Sequence, residues 1–283
     1  MEIKKVGVVG CGFMGSGITQ VCAQSGYQVV VSEVNDELLN KGLTTIDYYL
    51  TRSVLKGKIS QLDKDSALAR IKGTTNTKDF SDCDLVIEVV PENIDLKKEV
   101  FVRIDKICPE RTILASNTSC ISIFELAKVT NRPEKVLGMH FLSPVPPSKL
   151  LEIVRSAATS DETLESGKKF GESLGKAVIV AKDVPPFIFN RLLMALEGTA
   201  IQMLEEGIAT KEDIDKSMTL GLYHPIGPIA LLDFNGIDVA YKVCQAMYEQ
   251  TKDPQYAPSP LIKKMVETGR LGRKTGKGFY DYK

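Results

Sequence analysis

The 283-residue sequence has no excess of charge of either sign, since 36 basic and 36 acidic side chains cancel. Without a net field there is no whole-molecule attraction to nucleic acid or to an anionic membrane, so neither is expected as a partner. No stretch reaches the roughly 18 consecutive apolar residues of a membrane helix. The six cysteines, Cys11, Cys22, Cys83, Cys108, Cys120 and Cys244, form no CxxC pair. That spacing argues against a zinc site, any other metal centre or a disulfide framework, and for reduced, mostly packed thiols. The first ten residues read as a strand and not as the charged start and apolar core of a signal peptide, so a cytoplasmic location is expected. No internal repeat or low-complexity segment occurs, and there are only two histidines, His140 and His224.

What is present is enough for a sizeable core: 43% of the residues are hydrophobic, in a chain long enough for two ordinary domains. Apolar runs bounded by turn residues, at 6–9, 29–31, 85–90, 112–115 and 136–139, read as buried strands of a parallel sheet. Between them, 13–25, 36–56, 95–107 and 121–129 have helical spacing, and this alternation predicts a doubly wound α/β Rossmann domain. The pattern changes at Pro185-Pro186, after which 187–206, 211–220, 229–250 and 260–268 are all helical in spacing. The expected division is an N-terminal NAD-binding domain over 1–184 and an all-α domain over 185–283, whose amphipathic helices predict a homodimer.

Gly10-Cys11-Gly12-Phe13-Met14-Gly15 matches GxGxxG between a strand and a helix. The first glycine permits the turn, the second lets backbone approach a pyrophosphate, and the third lets helix and strand pack closely. Unsatisfied N–H groups and the positive dipole end of the helix then face the phosphates. Taken alone, the motif is also what a tight strand-to-helix connection looks like. A second strand ends in Glu33, 18 residues beyond Gly15, where a carboxylate can accept from ribose hydroxyls and repel a 2′-phosphate. NAD is therefore expected over NADP.

A dehydrogenase of this kind needs a base to take the hydroxyl proton as the hydride leaves. His140 closes a strand over 135–141, a proline-rich turn follows, and 149–154 reads as another strand. If that strand folds back, Glu152 lies across from His140 and can orient it as a triad carboxylate does. The spacing alone leaves open an ordinary structural histidine beside a buried, paired glutamate.

Three stretches, Ser116-Asn117-Thr118-Ser119-Cys120, Gly138-Met139-His140-Phe141-Leu142-Ser143-Pro144 and Phe187-Ile188-Phe189-Asn190-Arg191, resemble successive signatures of the short-chain L-3-hydroxyacyl-CoA dehydrogenases. The bacterial 3-hydroxybutyryl-CoA dehydrogenases are the most similar in length and layout. The resemblance runs to the closing Gly276-Lys277-Gly278-Phe279-Tyr280 and implies NAD-dependent interconversion of short-chain (S)-3-hydroxyacyl-CoA and 3-oxoacyl-CoA. It implies that His140 is the general base, Glu152 its partner, and Ser119 and Asn190 hydrogen-bonding groups around the C3 oxygen. It places Glu92, Lys97, Asn117, Ser119, Ser143 and Lys274 near the cofactor, with Gly10, Gly12, Phe13, Met14, Gly15 and Glu33, and it places Lys56 near CoA beside Arg52 and Lys58. The family usually has asparagine where this chain has Ser143, a shorter side chain with one donor in place of two.

Two other readings compete. Dehydrogenases of the 3-hydroxyisobutyrate type carry a lysine four residues before the asparagine, where this chain has Pro186. A non-catalytic NAD-binding protein would have no need of His140, Glu152, Ser119 and Asn190 together. His224, in Gly221-Leu222-Tyr223-His224-Pro225, reads as a structural turn residue.

Overall fold

The computed structural model describes residues 2–282, and among these eight strands join in one sheet. They are β1 (Lys5–Val9), β2 (Gln28–Ser32), β3 (Ile71–Thr74), β4 (Leu85–Glu88), β5 (Ile113–Ser116), β6 (Val136–Phe141), β7 (Leu150–Arg155) and β8 (Ala177–Lys182). Their order is β3-β2-β1-β4-β5-β6-β7-β8, parallel throughout except that β7 runs antiparallel to β6. The connecting helices are α1 (Phe13–Gln24), α2 (Asp36–Leu55), α3 (Gln61–Ala69), α4 (Ile94–Ile107), α5 (Ile123–Ala127) and α6 (Asp161–Ser173).

The period-2 alternation of side chains divides each central strand between two apolar cores. Val6 and Val8, Val29 and Val31, and Leu85 and Ile87 pack with Ile18, Ile46, Leu50 and Phe170 on one face. Val9, Val30 and Val86 pack with Val100, Phe101 and Ile104 of α4 on the other. Both faces are covered, as the uninterrupted apolar runs require. Five of the six cysteines are buried, and burial pushes the Cys22 and Cys83 thiols up to about 12.

The first compact unit ends at Phe187 and the second begins at Ile188. The second holds α7 (Phe189–Glu205), α8 (Lys211–Gly221), α9 (Pro228–Asn235), α10 (Ile237–Thr251) and α11 (Pro260–Glu267) around Ile201, Ile214, Ile229, Leu232, Ile237 and Met265. Asp233, buried within it, accepts from the Phe279 and Tyr280 N–H groups at 2.9 and 2.8 Å and so fastens the C-terminal segment to this core.

Two sequence expectations are corrected. The single helix over 229–250 is broken into α9 and α10 at Gly236, whose φ of +101° no helix accommodates. The helix expected from residue 187 starts at Phe189, because Phe187 has φ of +64° directly after the two prolines. No helix among the described residues is long and apolar enough to cross a membrane.

Candidate active site

The strand order reverses at β1, which pairs with β2 on one side and β4 on the other, and open α/β sheets take ligands in the crevice at such a point. The glycine turn lies there. Gly10 has φ of +104°, and a Cβ on Gly15 would stand 1.9 Å from the Gly10 carbonyl oxygen, so α1 can approach β1 only without that side chain. Above Gly12, by contrast, no atom lies within 4 Å of where a Cβ would be. No side chain caps α1 and its first turn holds no acid, leaving its dipole and N–H groups for an anion. Phe13 and Met14 open that helix.

Glu33 follows β2, and its Oε1 accepts from the Cys11 N–H at 2.7 Å, tying the acid to the glycine turn. A carboxylate has about four acceptor positions, so capacity for ribose hydroxyls remains. These residues fit a dinucleotide: a turn with open space for phosphate, an uncapped helix and an anchored acid. Replacing Gly15 with alanine is expected to cost about 1–3 kcal/mol of stability and to weaken NADH binding. Thermal unfolding with and without NADH measures both, and unchanged values would contradict this account of the turn.

The second cluster is built by the β6–β7 ladder. Antiparallel pairing puts His140 directly opposite Glu152, and the alternation along β6 turns His140 away from Leu137, Met139 and Phe141. His140 Nδ1 lies 2.9 Å from Glu152 Oε2, with side-chain exposures of 5% and 0%. An ionised carboxylate can only accept, so the tautomer that this contact favours carries its proton on Nδ1 and leaves Nε2 as the acceptor. Ser119 Oγ lies 3.1 Å from that Nε2. The Phe187 ring, with its centroid 6.0 Å from that of the imidazole, packs beside it.

Ser119 is held by a buried charged network that sequence reasoning found only in part. Asn93 caps α4 through the Leu96 N–H, which sets Lys97 in the first turn. Its ammonium reaches Glu88 Oε1 at 2.7 Å, the Val90 carbonyl at 3.1 Å and Glu92 Oε2 at 3.3 Å. Glu88 also accepts from the Ser116 hydroxyl at 2.6 Å and the Val90 N–H at 2.7 Å. Burial pushes the Glu88 carboxyl up from its ordinary range while Lys97 and these donors oppose it. Burial also acts to raise Glu92, but Lys97, the Thr118 hydroxyl and Cys120 outweigh it and hold that carboxyl below the usual value. Glu92 Oε1 accepts from the Thr118 hydroxyl and from the Ser119 and Cys120 N–H groups, the latter two at 3.0 and 3.1 Å. Asn117 Oδ1 accepts from the Phe141 N–H at 2.8 Å, joining the ends of β5 and β6. Glu88 was missed, although an acid inside an apolar strand run was a visible signal.

Residues 5–184 match the family profile described as "3-hydroxyacyl-CoA dehydrogenase, NAD binding domain", and residues 187–282 match "3-hydroxyacyl-CoA dehydrogenase, C-terminal domain". The chain belongs to the 3-hydroxyacyl-CoA dehydrogenase family. It is 44% identical over 281 residues to the 3-hydroxybutyryl-CoA dehydrogenase of Bradyrhizobium diazoefficiens, covering 99% of this chain and 96% of the relative. The crystal structure of (S)-3-hydroxybutyryl-CoA dehydrogenase from Ralstonia eutropha superposes with a TM-score of 0.92 at 45% identity, and that of M. tuberculosis FadB2 with 0.95 at 42%, each with full coverage of both chains. As a member of this family, the protein is an NAD-dependent oxidoreductase.

Ser143 is exposed on the turn after β6. Lys56 lines a cavity of about 540 Å³ with Arg52 and Lys58, between α1, α2 and residues 144–147. Asn190 is buried in the first turn of α7, and Lys274 pairs with Asp238, both within the second unit.

Proposed function

We propose that the protein oxidises short-chain (S)-3-hydroxyacyl-CoA reversibly to 3-oxoacyl-CoA, with 3-hydroxybutyryl-CoA and acetoacetyl-CoA as the favoured pair, through a His140–Glu152 acid–base pair. The observation that carries this reading is the relay from Ser119 Oγ to His140 Nε2 at 3.1 Å and from Nδ1 to Glu152 at 2.9 Å. When bound, NAD would supply the hydride acceptor, held by the glycine turn at Gly10, Gly12 and Gly15 and by Glu33. As the hydride leaves C3, Nε2 takes the hydroxyl proton, and the Glu152 carboxylate stabilises the resulting imidazolium. In the reducing direction the imidazolium returns that proton to the C3 oxygen, which the Ser119 hydroxyl polarises. Asn190 as a substrate ligand, and Glu92, Lys97, Asn117, Ser143 and Lys274 near the cofactor, carry over from the resemblance. Lys56, with Arg52 and Lys58, offers the cations that the CoA phosphates require.

The experiment is NADH oxidation over a chain-length series of 3-oxoacyl-CoA thioesters, followed by loss of nicotinamide absorbance. Turnover greatest with acetoacetyl-CoA is expected; a protein inert to the series but active on free hydroxy acids would overturn the reading. Glu33 is expected to favour NADH over NADPH by at least about tenfold in kcat/KM, because a carboxylate repels a 2′-phosphate. Equal efficiency with NADPH would count against that role.

The second unit exposes Leu192, Leu220, Leu222 and Tyr223, which supports a homodimer. Sedimentation at micromolar concentration is expected to give twice the chain mass, and a monomer would contradict it. Six cysteines without disulfides suit a reducing, cytoplasmic setting.

A further inference from the structure

The turn between β6 and β7 contains Pro144, Pro146 and Pro147, none of which has an N–H to donate. Its carbonyls still need partners, and within the turn the Ser148 N–H to the Pro144 carbonyl, at 3.2 Å, is the main backbone bond. The missing donor arrives from elsewhere in the chain. Lys176, in the link between α6 and β8, is 7% exposed, and its ammonium donates to the Val145 carbonyl at 2.7 Å and to the Ser148 carbonyl. A buried ammonium held by carbonyls carries a desolvation cost that a surface lysine avoids, and burial lowers the pKa of Lys176 accordingly. The turn also packs against α1, where the Val145 side chain lies on Gly17.

Residues 144–147 form one wall of the cavity that Arg52, Lys56 and Lys58 also line. We propose that Lys176 is a positioning residue that fixes this wall and thereby sets affinity for the CoA moiety, without taking part in the chemistry. The inference rests on the acyl-CoA reading above. Binding and chemistry separate because the His140–Glu152 pair is held by the β6–β7 ladder itself, with Met139 opposite Ile153 and Phe141 opposite Leu151.

The test compares wild type with Lys176→Met by calorimetric titration with coenzyme A, by steady-state kinetics with acetoacetyl-CoA and by hydrogen–deuterium exchange. Loss of the two bonds is expected to raise the Kd for coenzyme A about tenfold. KM for acetoacetyl-CoA should rise in parallel, with kcat within about threefold of wild type and KM for NADH unchanged. Exchange should quicken over residues 142–150, and Lys176→Arg, which keeps cationic donors, should recover part of the affinity. An unchanged Kd, or a kcat that falls as far as the affinity, overturns the proposal. If Lys176→Met does not fold, Lys176→Gln, whose shorter, uncharged side chain offers two donors in place of three, is read by the same criteria. Wild type that binds coenzyme A but reduces no 3-oxoacyl-CoA would sink the functional reading alone. Wild type that binds no coenzyme A would sink both.

Discussion

Substituting His140 with alanine is expected to lower turnover with acetoacetyl-CoA by about 10²–10⁴, the usual contribution of a general acid or base, while NADH still binds. Nε2 meets the Ser119 hydroxyl and Nδ1 meets Glu152, so the carboxylate holds one imidazole nitrogen and the other is directed to the hydroxyl. Alanine also removes a buried ring from beside Phe187. His140→Asn is the control for folding, because its amide can still donate toward Glu152 but cannot act as a base. Glu152→Gln should keep the shape and lose the charge that favours imidazolium, with a loss in kcat approaching that of the alanine variant.

Lys97→Met is expected to destabilise the protein by about 3–5 kcal/mol, the range for removing one partner of a buried ion pair. Glu88 and Lys97 are 0% and 1% exposed, so the carboxylate left behind has no access to solvent. The pH dependence identifies the cause. The Glu88 pKa is already pushed upward by burial and rises further without the cation, so the folded state then holds the acid protonated at a higher pH than the unfolded chain does. Stability of the variant should therefore recover as pH falls below that raised value and decline as pH rises through it. Denaturant unfolding between pH 5 and pH 8, roughly the window of maximal stability for most proteins, measures this. A deficit independent of pH would mean that lost packing, and not the stranded charge, is responsible. Adding Glu88→Gln should restore most of the loss. Activity should fall as well, because Glu92 loses its cation and with it the restraint on the Ser119 N–H.

The parts of this site that could be read from sequence are those set by local rules. The glycine turn, the alternating strands and Glu33 follow from short-range geometry, and the His140–Glu152 pairing needed only the assumption that 149–154 turns back. The buried network was not legible in the same way. Glu92 and Lys97 came from resemblance, and their link to Glu88 and Ser116 depends on how the end of β4, the first turn of α4 and the end of β5 meet. Lys176 lies 31 residues from Val145, and no periodicity marks a lysine as buried. β3, a four-residue strand with the sequence IKGT, has too little apolar pattern to be read as a strand. The break at Gly236 was missed because the apolar spacing on either side stays in helical phase.

The most direct measurement of the central claim is NAD reduction by (S)-3-hydroxybutyryl-CoA, followed in parallel for wild type and His140→Ala after NADH binding has been verified for each. The account predicts rapid reduction by wild type and a rate lower by about 10²–10⁴ in the variant. A wild type that reduces no NAD, or a variant that keeps pace with it, would contradict the account.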